Sequence, residues 1–403
     1  MLDYLSRLSR ISGCRQPSAI RKLAPLLCQP GMISLGGGLP NPQLFPFTDI
    51  SFNIDGAEVR LNPGQVAESL QYSQTPGLPS LLKWIHELQN SKHRLSSNTS
   101  ICINGGSQEA FCRAVEMLIE PGGEILVDDP CYSGVVAFLR PYCHITGVRT
   151  DADGMIPEEL DRVLVDWNRS QPKPRVLYTN VTASNPTGAT LTAERRRALY
   201  KVAERHDLIV LEDDPYYFLH EHHRSLPSLL SLDESGRVIR FDSLSKVLSS
   251  GIRVGFATGP KPLIDRMNLH TQACNLHTSG ISQMMVSALF DQWKLNGFDQ
   301  HLDRCAQFYN ERRDVLLQSA EKHLHGRASW TRPEAGMFLW IRLHNVPDTK
   351  SLIEERAVQA QVLFVPGQAF CPRDQPSSYI RASYSTAKAA QMDEAMRRLA
   401  TLI

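Results

Sequence analysis

The feature that most constrains the fold is an alternation of short apolar runs with helix-like segments between residues 100 and 260. Five runs are rich in β-forming residues: Glu124 to Val127, Arg175 to Thr179, Leu208 to Leu211, Val238 to Phe241 and Val254 to Thr258. Between two of them, Thr192 to His206 combines a capping threonine with apolar residues at helical spacing. This alternation is typical of an α/β domain with a mostly parallel sheet.

The pattern changes after about residue 300. A helix-like stretch is followed by the apolar run Gly336 to Ile341, a helical segment near Ser351 to Ala360, and a run at Val362 to Val365. We expect a smaller α+β domain here. The first 45 residues hold a Gly36 to Pro40 loop and many breakers, which indicates an arm or lid. The predicted organisation is an arm with a small-domain contribution (1–45), a large domain (46–295) and a small domain (296–403).

Charge and cysteine content exclude several classes of protein. The 43 Lys and Arg balance 42 Asp and Glu, so the basic excess needed for non-specific nucleic-acid binding is missing. No apolar run approaches the ~18 residues that a membrane span needs. The nine cysteines form no C-x-x-C pair, which favours free thiols in a reducing compartment. We expect an intracellular protein, cytoplasmic or in the mitochondrial matrix, with no nucleic-acid or membrane partner.

Polar residues follow the predicted strands at their carboxyl ends, where open α/β sheets bind ligands. Four such groups occur: Asp128 to Tyr132, Asn185 to Gly188, Glu212 to Tyr216 and Asp242 to Lys246. A lysine after a buried strand is either a solvated loop residue or a Schiff-base lysine. Ser243, Ser245 and Arg253 favour the second interpretation, because two hydroxyls and a guanidinium can hold a dianionic phosphate.

Two further elements are weaker on their own. Gly105 to Gln108 lies between a strand-like and a helix-like segment, where backbone N–H groups and the helix dipole can meet an anion. Asp213 is either a cap, a solvated carboxylate or a buried carboxylate that needs a cationic partner. A pyridinium nitrogen would be such a cation, and Tyr216 would reach a phenolate oxygen on the same ring.

Together these residues resemble the fold type I pyridoxal-phosphate enzymes, in particular the class I and II aminotransferases. The motifs that carry the resemblance are Asn185 to Gly188, Asp213 to Tyr216, and Ser243 to Lys246 with Arg253. The resemblance is strongest to the kynurenine/alpha-aminoadipate aminotransferases, through Gln16 to Arg21, Ile33 to Leu35, Gly37 to Pro42, Leu70 to Ser73 and Tyr379 to Ser383. It implies a large domain with a mostly parallel seven-stranded sheet, a smaller α+β domain, and a homodimer that shares its active sites.

The resemblance also implies roles around pyridoxal 5′-phosphate. Lys246 would hold the cofactor covalently and then move the proton between the substrate Cα and the C4′ carbon. Asp213 would keep the ring nitrogen protonated, Asn185 and Tyr216 would donate to the phenolic oxygen, and Tyr132 would stack on the ring. The phosphate would be held by Gly106, Ser107, Gln108, Ser243, Ser245 and Arg253, and by Tyr72 from the other subunit.

On the substrate side, Arg381 would bind the α-carboxylate in a bidentate pair. Arg21 would be a mobile arginine that lets one site accept a second carboxylate or an aromatic side chain. The remaining substrate contacts would come from Gly38, Leu39, Tyr72 and Asn185. The predicted reaction is transfer of the amino group of an aromatic amino acid, kynurenine or 2-aminoadipate to 2-oxoglutarate by a ping-pong mechanism.

The chain departs from the family's pattern at two places. Val181, in the loop Asn180 to Ser184, replaces the usual proline, and Glu109 stands where a second glutamine is common. Neither change removes a catalytic group, so the expected reaction type stays the same. The altered loop leaves the substrate preference open.

Two other functions are compatible with parts of the pattern, and three local features have simpler structural interpretations. A lyase, decarboxylase or oxidase would use the same cofactor, and an effector-sensing module would be non-catalytic. We interpret His220 to His223 as a polar loop rather than a metal site, since it lacks the i, i+4 histidine pair of a zinc helix. We expect Cys131 to be a packing residue rather than a nucleophile, and Arg195 to Arg197 to be the solvated face of a helix.

Overall fold

The computed structural model describes the chain except for residues 1, 20–28, 34, 37, 169–171 and 222–225. The chain divides into two compact units. Unit I comprises residues 1–2, 119–241 and 300–403, and unit II comprises residues 3–118 and 242–299. The domain boundaries expected at residues 45 and 295 stay a prediction.

The strands of the described residues are β1 Ser51–Ile54, β2 Ala57–Arg60, β3 Thr99–Asn104, β4 Glu124–Asp129, β5 His144–Asp151, β6 Gly154–Met155, β7 Val176–Thr179, β8 Ile209–Asp213, β9 Val238–Ser243, β10 Gly255–Pro260, β11 Ala328–Trp330, β12 Phe338–Leu343, β13 Val365–Pro366 and β14 Tyr379–Ser383. The α-helices are α1 Arg10–Cys14, α2 Pro63–Leu70, α3 Pro79–His93, α4 Ser107–Leu118, α5 Ser133–Leu139, α6 Pro157–Val165, α7 Ala193–Arg205, α8 Lys261–Cys274, α9 Gly280–Leu324 and α10 Ala389–Leu402. Helix α9 is interrupted at Lys294, whose φ is 55°. None of the helices described is long and apolar enough to cross a membrane.

Unit I contains the parallel sheet that the sequence predicts. Its strands are ordered β9-β8-β7-β4-β5-β6, and only the two-residue β6 runs antiparallel to its neighbour. Every residue of β7 and β8 is buried, as expected for strands covered on both faces. Strand β7 leads into the loop that carries Asn185, and Asp213 is the last residue of β8.

Unit I also contains the predicted α+β region. Strands β11-β12-β14-β13 form an antiparallel sheet. Leu339 and Ile341 of β12 pack on one face against Leu316 of α9 and Met396 of α10. Because side chains alternate along a strand, Phe338 and Trp340 lie on the opposite face, the same face as Arg381 of β14.

Unit II is built on the antiparallel pair β3 and β10, with helices α4 and α8 packed against it. Strands β1 and β2 form a hairpin whose Asp55-Gly56 turn has positive φ at both residues, as a type I′ turn requires. In the described residues, the unit I sheet and this pair hold eight strands, against seven predicted. The count of seven came from the family resemblance, and the count of eight includes the two-residue β6.

The start of the expected N-terminal arm is anchored within unit II. The Ser9 backbone N–H donates to the Met117 carbonyl at 2.7 Å, and its hydroxyl donates to the Glu116 carbonyl at 2.8 Å. The fully buried His270 lies 2.9 Å from the Ser12 hydroxyl. Residues 9–12 are therefore bound to α4 and α8.

Two of the local expectations need correction. Arg196, predicted to be solvated, is completely buried in unit I because its guanidinium donates to backbone carbonyls instead of to water. His220 is also buried rather than part of an open polar loop, and its Nε2 lies 3.2 Å from Glu334 Oε2. His222 and His223 lie outside the described residues. Across the ranges that the structure describes, no group of three His, Cys, Asp or Glu side chains is arranged to hold a metal ion.

Candidate active site

The predicted phosphate-binding residues of unit II form a cluster around Arg253, which we call the Arg253 cluster. Arg253 Nη1 donates to Ser245 Oγ at 3.2 Å, and Nη2 donates to the Gly105 carbonyl at 2.5 Å. Ser243 Oγ accepts the Ser245 N–H at 3.2 Å and caps the short 3₁₀ turn that ends at Lys246. Lys246 is half-buried at the end of this turn, which follows strand β9.

Glycines allow the loop of the Arg253 cluster to approach its neighbours closely. Gly106 has a φ of 102°, and a Cβ there would lie 2.5 Å from Arg253 Nη2. A Cβ on Gly255 would lie 2.7 Å from the Asp242 carbonyl and 2.9 Å from Gly106 Cα. Any larger residue at either position would therefore push the loop away from Arg253 or from strand β10.

Glu109 also holds this loop, although its importance was not predicted. Its Oε2 accepts the Gly105 N–H at 2.6 Å, and its Oε1 accepts from Asn275 Nδ2 at 3.1 Å. The residue sits in the first turn of α4, where a carboxylate complements the helix dipole. The sequence signal was an acidic residue in the first turn of a helix. That signal does not reveal the hydrogen bond to Gly105, which depends on the conformation of the loop.

The second group lies in unit I around Asp213, at the end of β8, and we call it the Asp213 cluster. Asp213 is 5% exposed, and Tyr178 donates its hydroxyl to Asp213 Oδ2 at 2.8 Å. Asn180 Nδ2 donates to the Asp213 carbonyl at 2.7 Å. The Asn180 N–H in turn donates to Asp128 Oδ2 at 2.9 Å. Burial raises the pKa of Asp128 to about 7 and holds the pKa of Tyr178 well above its usual range.

Asn185, Tyr216 and Arg381 meet in the same cluster. Arg381 Nη1 donates to Asn185 Oδ1 at 2.8 Å, and the Asn185 side chain is hydrogen-bonded to the hydroxyl of the buried Tyr216. The Arg381 guanidinium lies 4.1 Å from the Phe338 ring centroid and 5.0 Å from that of Phe370. The contacts of Phe338 and Phe370 with Arg381 were not predicted, because no local sequence pattern links these residues.

Arg381 is a partly buried cation that needs an anion. Burial lowers the pKa of its guanidinium. No carboxylate of a described residue forms an ion pair with it, and its Nε has no hydrogen-bond partner among the described residues. A carboxylate ligand would supply the missing charge and a bidentate acceptor.

Tyr132 precedes α5, and its ring lies over the start of that helix. A Cβ on Gly134 would lie 2.6 Å from the ring, so glycine is required for this ring position. The neighbouring Cys131 is buried, and desolvation raises the pKa of its thiol well above the ordinary value. A thiolate nucleophile is therefore disfavoured at Cys131, which agrees with its interpretation as a packing residue.

The other predicted contacts lie on the surface of unit II or outside the described residues. The Tyr72 ring is 52% exposed and stands edge-on to His277, with 6.0 Å between centroids. It lines a cavity of about 370 Å³ together with Pro40 and Phe45. Gly38 and Leu39 are exposed. Arg21 lies outside the described residues.

Comparison with known proteins identifies the class. Residues 62–399 match the family described as aminotransferase class I and II. The chain belongs to this family. It is a pyridoxal-phosphate-dependent aminotransferase with the fold type I architecture, and nothing in the comparisons supports a lyase, a decarboxylase, an oxidase or an effector-sensing module.

Within this family, the chain is similar to kynurenine/alpha-aminoadipate aminotransferases and related enzymes. The chain is 42% identical over 421 residues to the mitochondrial kynurenine/alpha-aminoadipate aminotransferase of Bos taurus, covering 100% of this chain and 99% of the relative. The crystal structure of aminotransferase Aro8 from Candida albicans is similar with a TM-score of 0.90 and 28% identity, covering 100% and 98% of the two chains. The kynurenine aminotransferase of Pyrococcus horikoshii, solved with PMP, has a TM-score of 0.79 and 28% identity, covering 99% and 97%.

The two clusters fit the cofactor chemically. The Arg253 cluster offers a guanidinium, serine hydroxyls and the start of α4, a donor set suited to a phosphate dianion. The Asp213 cluster offers a buried carboxylate suited to a protonated ring nitrogen, together with the Asn185 amide and the Tyr216 hydroxyl.

Proposed function

We propose that this aminotransferase moves the amino group of an aromatic amino acid, kynurenine or 2-aminoadipate to 2-oxoglutarate by a ping-pong mechanism. The observation that carries the proposal is the Arg381 guanidinium, which is partly buried between two aromatic rings, hydrogen-bonded to Asn185 and without a counter-anion among the described residues. Such a site suits the α-carboxylate that amino acids and 2-oxo acids share. The names of two similar proteins support kynurenine as a donor, and one of these names also includes alpha-aminoadipate.

The proposal assigns the cofactor phosphate to Gly106, Ser107, Gln108, Ser243, Ser245 and Arg253, and to Tyr72 of the partner subunit. It assigns the cofactor ring to Tyr132, Asn185, Asp213 and Tyr216, and the substrate to Arg21, Gly38, Leu39, Tyr72, Asn185 and Arg381. Contacts within unit II support the phosphate assignment, because the Arg253 guanidinium lies beside the Gly105 loop. Contacts within unit I support the ring-nitrogen assignment, because the Asp213 carboxylate is buried and held by Tyr178.

In the proposed chemistry, each residue binds, orients or moves a proton. When bound, the cofactor supplies an electron sink for the charge that develops on the substrate α-carbon. Asp213 balances the positive ring nitrogen, and Asn185 and Tyr216 donate to the phenolic oxygen. Arg381 would orient the substrate by binding the substrate carboxylate, and Lys246 Nζ would move the proton between the substrate α-carbon and the cofactor C4′ carbon.

A panel of amino donors with 2-oxoglutarate tests the substrate proposal. We expect glutamate to form with aromatic donors, kynurenine and 2-aminoadipate, with parallel double-reciprocal plots. We also expect Arg21→Ala to lower kcat/KM for 2-aminoadipate by about 10–100-fold, because a charge-assisted hydrogen bond is lost, and to affect leucine much less. Release of ammonia, carbon dioxide or peroxide at comparable rates would contradict transamination. Equal effects of Arg21→Ala on all donors would contradict only the role of Arg21.

We also propose a homodimer whose partner subunit completes each site. Unit II exposes large apolar side chains, including Leu35 (98% exposed) and Leu44 (82% exposed). Apolar surface of this kind is favourable to bury, and a second copy of the chain would cover it. Light scattering should then give a particle mass of twice the 45.2 kDa of one chain.

Subunit complementation tests the shared site. Tyr72→Phe and Lys246→Ala are each expected to have low activity alone. After unfolding and refolding as a mixture, a heterodimer would carry one site with both native residues, so activity should rise to about a quarter of the wild-type value. Activity equal to the average of the two variants would show that Tyr72 acts within its own subunit.

We propose an intracellular location, in the cytosol or the mitochondrial matrix. The support is that the eight cysteines in the described residues are all free thiols, which suits a reducing compartment.

A further inference from the structure

Four charged side chains are completely buried beneath the Asp213 cluster in unit I, and the proposed chemistry uses none of them. They are Arg196, Glu212, Asp214 and Arg240, each with an exposed fraction of 0%. Arg240 Nη1 lies 3.1 Å from Glu212 Oε1 and 3.0 Å from Asp214 Oδ2. Buried charges are costly even when paired, and apolar residues of similar volume would often be as stable. Stability alone therefore does not explain these four residues, and we ask whether they hold the backbone around Asn185 and Asp213 in place.

Arg196 joins both ends of the loop that carries Asn185. Its Nε donates to the Leu191 carbonyl at 2.9 Å, and its Nη2 donates to the Val181 carbonyl at 2.9 Å. The same two residues are linked directly, since the Leu191 N–H donates to the Val181 carbonyl at 3.0 Å. The Arg196 guanidinium and this backbone hydrogen bond therefore tie together the two ends of the segment 181–191, which contains Asn185.

The network also links this loop to the end of strand β8. Arg196 Nη2 donates to Thr182 Oγ1 at 3.0 Å, and Thr182 Oγ1 donates to Asp214 Oδ2 at 3.0 Å. The Asp214 N–H donates to the Phe241 carbonyl at 3.0 Å. Because Asp214 directly follows Asp213, the bonds that hold Asp214 also restrict the backbone that directs Asp213.

We propose that Arg196 is a positioning residue that acts through Asn185, by holding residues 181–191 in the conformation that presents the Asn185 side chain to Arg381 and Tyr216. The proposal rests on the proposed function of Asn185 and Arg381. Arg196 touches neither the substrate nor the cofactor in this role. Its three donor atoms on separate backbone carbonyls explain why lysine, with a single nitrogen, would not replace it.

A double-mutant cycle tests the proposal. Arg196→Met is expected to lower kcat/KM for the amino donor by about 10–100-fold, mainly through KM, because Arg381 loses its oriented Asn185 partner. In an Asn185→Ala background, the same substitution should change kcat/KM less than about twofold. Arg197→Met is the matched control on the same helix, since Arg197 is half exposed, and it should leave both backgrounds unchanged.

A second measurement does not depend on turnover. In the cofactor-free protein, Arg196→Met should raise amide hydrogen exchange in residues 181–191 while the strands keep wild-type protection. If Arg196→Met does not fold, Arg196→Lys keeps the charge, removes two of the three donor nitrogens, and should give the same pattern.

Equal losses in the native and Asn185→Ala backgrounds would overturn the positioning role, and so would unchanged exchange in residues 181–191. An inactive wild-type protein would instead overturn the proposed function. The two failures are therefore distinguishable.

Discussion

Lys246→Ala is expected to lower kcat for aminotransfer by about 10⁴-fold, the largest effect of any single substitution considered, since general acid–base catalysis alone contributes up to that factor. Lys246 ends the 3₁₀ turn that Ser243 caps, directly after strand β9, so short-range structure fixes its backbone position. In the proposed mechanism, alanine would remove both the covalent link to the cofactor and the base that moves the α-proton. The variant should still fold, because a half-buried side chain is shortened without a new polar group.

Two measurements distinguish loss of catalysis from loss of structure. Borohydride reduction followed by mass spectrometry should attach the cofactor to the wild-type chain and not to Lys246→Ala. Lys261→Ala is the matched control, because Lys261 is an exposed lysine paired with Asp265, and it should keep full activity and the covalent cofactor. Full turnover by Lys246→Ala would contradict every assignment made to the cofactor site.

Asp213→Asn is expected to lower kcat by about 10²–10³-fold, the range seen when one preorganised electrostatic contact is removed. The amide keeps the size of the side chain and can still accept the Tyr178 hydroxyl, but it cannot balance a positive ring nitrogen. The Arg253 cluster is untouched, so cofactor affinity should fall less than kcat.

Tyr178→Phe provides a graded comparison for this prediction. It removes the hydroxyl that donates to Asp213 Oδ2 while keeping the charge, so kcat should fall by only about 2–10-fold, as expected for one hydrogen bond. Steady-state kcat and the cofactor dissociation constant should be measured on both variants. The comparison separates the effect of the Asp213 charge from the effect of its orientation by Tyr178. An unchanged kcat in Asp213→Asn would remove Asp213 from the mechanism.

Much of the fold was predictable because it depends on local pattern. Strands β4, β7, β8 and β9 contain apolar runs that are visible in the sequence. The helix after Thr192 begins at its capping residue, because the Thr192 hydroxyl accepts the Arg195 N–H at 3.2 Å. Strands β5 and β6 were not among the predicted runs, because β5 mixes polar and apolar residues and β6 has only two residues. The site residues at strand ends were predictable because parallel strands end at one edge of their sheet.

The burial of Arg196 shows where prediction from sequence stopped. Arg195, Arg196 and Arg197 are the same residue type in sequence, yet only Arg196 is completely buried. The difference arises from carbonyls that the loop 181–191 turns toward this face of α7. A loop conformation of that kind leaves no signal in the residues of the helix itself.

The sequence by itself determined the family chemistry: the order and type of the residues after each strand, with Lys246, Asp213 and Arg253 among them, because these depend on short segments and on strand polarity. The tertiary structure alone decided which distant residues meet. Asn185 and Arg381, 196 positions apart, share a hydrogen bond, and Phe338 and Phe370 enclose the guanidinium. The physical reason is that long-range contacts are set by packing of the whole chain, which local propensity and motif spacing do not encode.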